Sequence, residues 1–180
     1  MSAPDGRVER GRRRRQQLVE AALRLVEREG VGAVTHRAVA REAGVAATAG
    51  TYHFPTVDDL LVAVITACAE RFAAEVGERM ADGATLADLA ALTASYLRED
   101  RGRAIAEYEV YLLAARRPAL RPAARLWTDL LTELLSRWCD DPAAVRAAVA
   151  ANDGVMLQGL IADEPPSAAT IEAVLRRALA

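Results

Sequence analysis

Apolar residues recur along this chain at helical spacing, and no segment resembles a strand pattern, so the sequence restricts the fold to packed helices. Leu18, Ala22, Leu25 and Val26 fall on one face of a first helix that Gly30 would end. Thr35 then offers an N-cap for a short helix from His36 to Ala43, which Gly44 stops. A second short helix covers roughly Ala47 to His53, and Pro55 ends it. Thr56 with Asp59, and Thr85 with Asp88, repeat a T-x-x-D capping pattern at the next two starts. The first of these helices extends through about Gly77, with Leu60, Leu61, Val64, Ile65, Cys68 and Phe72 at helical spacing. Further helices are predicted from about Arg103 to Arg116, Arg121 to Trp138, Pro142 to Leu160 and Ser167 to Leu179, separated by prolines. The expectation is an all-α protein of about nine helices.

The 180 residues hold ample apolar content for a core, so size forces neither metal nor disulfide. No stretch approaches the roughly 18 apolar residues of a membrane span, and the charged N-terminus is unlike a secretion signal, which predicts a cytoplasmic protein. Cys68 and Cys139 stand far apart and read as buried reduced thiols; His36 and His53 make no ligand cluster. No cofactor is expected. Net charge is only -2, but residues 1–55 carry ten Arg against six acidic residues, while the remainder is acidic. Residues 1–11 mix Pro, Gly and charge without periodicity and are expected to be a disordered arm.

The informative stretch is Thr35 to Phe54, THRAVAREAGVAATAGTYHF. Two short helices joined by a glycine turn are what a helix-turn-helix requires, with Gly44 supplying the left-handed backbone and Ala40 small enough for a close crossing. The second helix of such a unit enters the major groove, which makes Ala46, Ala47, Thr48, Thr51, Tyr52 and His53 the candidates for facing bases and phosphates. The Arg12, Arg13, Arg14 and Arg15 run adds candidate phosphate contacts. There is no Ser/His/Asp or Cys/His pairing, no metal-ligand spacing and no glycine phosphate loop, so nothing here points to an enzyme. The alternative to a ligand-controlled regulator is an architectural DNA-binding protein; the long segment behind the reading head favours a sensor.

From Arg12 to Leu61 the chain resembles the TetR/AcrR-type one-component repressors: a helix ending in REGVGAVT, then RAVAREAGV, then YHFPTVDDLL leading into a long connecting helix. The resemblance implies a three-helix DNA-binding domain over 12–55 and a helical effector-binding and dimerising domain over 56–180. It also implies phosphate contacts from Thr35, His36 and Arg37, binding to palindromic double-stranded operator DNA, and control by a small-molecule effector. The sequence departs from the family pattern at Ala46, where a Ser or Thr cap is usual, at Gly50, where a large aliphatic is usual, and at Thr51, where a Tyr is usual. An N-cap Ala and an interior Gly cost about 1 kcal/mol each, so the recognition helix is expected to be marginal until DNA orders it. Val57 replaces a frequent basic contact and shifts electrostatic load to the Arg run.

Six of the eight aromatics lie behind the reading head. Phe72, Tyr96, Tyr108, Tyr111 and Trp127, with Leu112, are the expected lining of an effector pocket between helices. Glu107 and Glu109 stand near the tyrosines, where a cationic ligand is conceivable but exposed surface acid is the plainer reading. The long helix after Thr56 is the expected lever between pocket and reading head. Ala147, Ala151, Gly154 and Val155 permit close helix approach, and Ile171, Val174, Leu175 and Ala178 form an apolar stripe on the final helix. These two helices are the expected homodimer interface.

Overall fold

The computed structural model describes residues 6–79 and 83–180. Among them the chain forms nine α-helices and no strand. They are α1 (Gly6–Glu29), α2 (His36–Glu42), α3 (Ala47–His53), α4 (Val57–Arg79), α5 (Leu86–Arg98), α6 (Arg101–Leu113), α7 (Arg121–Leu135), α8 (Pro142–Ile161) and α9 (Ala168–Ala178).

The starts follow local side-chain chemistry. Thr35 accepts from the Ala38 N–H at 3.1 Å, Asp141 from Ala143 at 2.9 Å and Ser167 from Thr170 at 3.2 Å, each meeting a backbone donor that the first turn leaves unpaired. At α4 and α5 the capping is reciprocal: Asp59 takes the Thr56 N–H at 2.9 Å and Asp88 takes the Thr85 N–H at 2.7 Å. One start differs from expectation. α1 begins at Gly6, so residues 6–11 of the expected disordered arm are helical, while residues 1–5 lie outside the described residues. Glu9 sits one turn before Arg12 and Arg13, at 3.8 and 3.2 Å, and such pairs favour helix over coil.

The chain divides into two compact units, one holding the residues up to Ala67 together with Ala106–Arg121, the other Cys68–Ile105 and Pro122–Ala180. α4 and α6 each contribute residues to both.

In the first unit α2 packs on α1 and on α3. Leu18, Leu25, Val39, Phe54, Leu60 and Leu61 are buried there, each large side chain contributing about 1.5–3 kcal/mol. Gly30 and Gly44 end α1 and α2 with φ of 81° and 65°, the left-handed region that a side chain would strain. Beyond Gly30, the Glu109 carboxylate on α6 accepts the Val31 N–H at 2.8 Å, and Arg117 pairs with Asp58 at 2.7 Å.

In the second unit α9 lies against α5 and α8. Gly159 allows α8 its close seat: a Cβ there would stand 2.7 Å from Leu97 Cδ1. This packing corrects one expectation. Ile171 and Leu175 are fully buried within the single chain, so they hold α9 to its own core and are not free to meet a partner.

Candidate DNA-reading face and effector site

The first unit presents a compact reading head. α3 exposes Ala46, Ala47, Thr48, Thr51 and Tyr52, with Tyr52 83% exposed, while His53 is half-buried and its ring meets Tyr52 edge-on at 5.0 Å. An aromatic so exposed contributes nothing to the core, and its helix carries no acidic residue. The Thr51 hydroxyl donates to the Thr48 carbonyl at 3.2 Å, and the residue is exposed.

Ala46 makes no side-chain cap bond. Gly50 explains how the helix nevertheless seats. A Cβ at Gly50 would lie 3.3 Å from both Cβ and the carbonyl oxygen of His36, so the missing side chain brings α3 directly onto the start of α2. That crossing also bears on His36. Its Nε2 is buried without a hydrogen-bond partner among the described residues, so that nitrogen does not face a phosphate, while the residue as a whole is half-buried and neighbouring Thr35 and Arg37 are exposed.

The arginines are not equivalent. Arg12 and Arg13 share Glu9 and keep 77% and 76% of their side chains exposed, whereas the Arg15 guanidinium lies 4.9 Å from the centroid of the Phe54 ring. Glu42 on α2 accepts from Arg28 at 2.8 Å and Arg24 at 3.3 Å, both on α1. The hydrogen bond from Arg28, then that from Arg24, holds the Glu42 carboxyl below the usual carboxylate range.

The second unit gathers three of the expected pocket residues. Phe72 on α4 lies 5.1 Å from Trp127 on α7 and 6.2 Å from Tyr96 on α5, centroid to centroid. Two charged residues join them. Tyr96 donates its hydroxyl proton to Glu75 Oε2 at 2.5 Å, and Arg103 on α6 reaches Glu75 Oε1 at 3.3 Å and the Tyr96 oxygen at 3.2 Å. The Arg103 guanidinium also stands over the Tyr96 ring, 5.3 Å from its centroid.

Glu75 and Arg103 were not among the residues the sequence singled out, yet a signal was present. Glu75 lies three residues after Phe72 and seven after Cys68, on the stripe of α4 where an apolar residue belongs. The other expectations divide. Tyr108 and Tyr111 pair at 6.3 Å in the first unit, and Leu112 there is 55% exposed, so the structure does not place it as a pocket wall. Glu109 is half-buried and spends one carboxylate oxygen on the Val31 N–H. A separate pocket of about 480 Å³, bordered by Thr85, Leu86, Trp138, Arg176 and Leu179, shares no residue with the aromatic cluster.

Residues 18–64 match the bacterial regulatory proteins of the tetR family, and residues 81–180 match the tetracyclin repressor-like C-terminal domain. The chain belongs to the TetR family of transcriptional regulators. Among solved structures, this TetR regulator is similar to the multidrug binding protein EbrR complexed with ethidium. They are 40% identical, covering 93% of this chain and 99% of that one, with a TM-score of 0.84. EbrR complexed with malachite green is also 40% identical, covering 92% and 98%, with a TM-score of 0.80. A TetR-family member from Streptomyces coelicolor A3, SCO1917, is 38% identical, covering 93% and 98%, with a TM-score of 0.81. No curated protein matches the regulator's sequence. Among its described residues no helix is long and apolar enough to cross a membrane.

Proposed function

We propose that this DNA-binding regulator is a homodimeric repressor, released from a palindromic operator by a delocalised aromatic cation. The observation that carries the effector class is the half-buried Glu75 carboxylate bonded to Tyr96, whose ring meets Phe72, which in turn meets Trp127. Aromatic faces hold a flat or propeller-shaped apolar ring system, and ring quadrupole and carboxylate together answer its positive charge. Ethidium and malachite green, the ligands of the similar EbrR, are cations of this kind.

On the DNA side, Thr48, Thr51 and Tyr52 are the base-facing residues and Thr35, Arg37 and the Arg12 to Arg15 run hold phosphates. The twofold axis comes from α8. Its inner face is Val145, Ala148, Asn152, Met156 and Leu160, and the opposite face, Ala147, Ala151, Gly154, Leu157 and Ile161, carries no charge. Ile161 is 84% exposed and Leu157 40%, which on a helix already packed within its own chain supports a second copy as the cover. Half-sites about 34–36 Å apart, or slightly more, follow from reading heads on one side of a duplex.

The test is operator titration, with sites selected from sheared genomic DNA, in the presence and absence of tetraphenylphosphonium, an aromatic cation that does not intercalate. Saturating cation is expected to weaken operator binding by about 5- to 150-fold, the range of ordinary coupling energies. Cation that binds the protein yet leaves operator affinity unchanged overturns release as the mechanism and favours an architectural role.

A further inference from the structure

We propose that Arg103 is a built-in occupant of the effector's cation position, which an incoming aromatic cation must displace. The inference rests on the reading of the aromatic cluster as the effector site. It adds how that site is held when empty and why it would select charge.

One guanidinium engages both polar groups of the cluster and one of its ring faces. It meets the Glu75 carboxylate at 3.3 Å, the Tyr96 hydroxyl oxygen at 3.2 Å and the Tyr96 ring face at 5.3 Å. A planar, delocalised cation over an aromatic face beside a carboxylate is, in small, the arrangement an aromatic cation would make. The side chains of Arg103 and Glu75 are only 15% and 25% exposed, so the pair is poorly screened and Glu75 without a cation would be a costly partly buried charge.

Displacement is therefore cheap only as an exchange of one cation for another. Arg103 is the third residue of α6, on a long flexible stem, and its guanidinium regains water when it leaves. A neutral ring system of the same shape would enter only by separating the ion pair, with the Tyr96 hydroxyl but not Arg103 left on the Glu75 carboxylate. Arg103 thus excludes neutral ligands, and it also lowers affinity for cations, because only the fraction of molecules with Arg103 swung away is competent to bind.

The experiment is ethidium fluorescence titration of the full chain without DNA. Arg103→Met, which keeps the volume and removes the charge, is expected to bind ethidium at least about tenfold more tightly, equivalent to about 1.4 kcal/mol. Arg103→Lys, a cation without the planar stack, should tighten less. Glu75→Gln should weaken binding. A folded Arg103→Met that binds ethidium no better than the original chain overturns the proposal; if Glu75→Gln still weakens binding, the effector reading stands without it. Absence of ethidium binding in the original chain and in every variant overturns both. A readout that needs no variant is the Arg103 Nε–H resonance in arginine-labelled protein. It should move to the solvent-exposed position as ethidium saturates, and a resonance that stays in place is evidence against displacement.

Discussion

Tyr52 shows most directly how a single residue separates function from stability. With 83% of its surface exposed on a helix whose inner side rests on α2, it has little to lose on unfolding, and in the proposed role it faces the groove. Tyr52→Ala or Thr48→Ala is expected to weaken operator binding by about 1–3 kcal/mol while barely affecting nonspecific DNA. Competition binding against nonspecific duplex, with thermal melting alongside, measures both. An equal loss on both DNAs would place these residues on phosphates. Gly50 carries the complementary lesson. An interior glycine reads from the sequence as a weakness, yet here it is the contact that lets α3 rest on His36.

At the scale of elements, α1 and α2 are joined by charge at the rim of the reading head. Arg28 and Arg24 hold Glu42 ionised, so its folded pKa lies below the unfolded one. The bond's contribution is then fully present above the unfolded value and lost as pH falls through the folded one. Asp59 at the start of α4 follows the same sign, lowered first by the Thr56 hydroxyl and then by its N–H. The melting temperature should therefore fall as pH drops below about 4, and Glu42→Gln should flatten part of that fall. Melts from pH 7 to pH 3 would show it; a Glu42→Gln profile parallel to the original excludes the Glu42 contribution. α6 places Arg103 on Glu75 in one unit and Glu109 on the Val31 N–H in the other.

For the whole molecule, the proposed interface is tested at the outer face of α8. Leu157→Glu with Ile161→Glu is expected to give a folded monomer that no longer binds its operator, whereas Ile171→Glu should unfold the chain, because it puts an unpaired charge in the core. Sedimentation with a thermal melt distinguishes them, and a dimer surviving the double change places the interface elsewhere. What the sequence by itself determined is what depends on neighbours along the chain. The caps at Thr35, Thr56, Thr85, Asp141 and Ser167, the glycine turns at Gly30 and Gly44, and so the helices and the reading head, rest on hydrogen bonds two or three residues apart and on backbone sterics. The tertiary structure alone decided which apolar stripe faces inward, so that Ile171 and Leu175 belong to the core while Ile161 faces out. It alone brought Glu75, Tyr96 and Arg103 together from α4, α5 and α6. A stripe shows only that a helix must bury one side; which surface covers it, and which charges meet there, is fixed by how the elements pack in space.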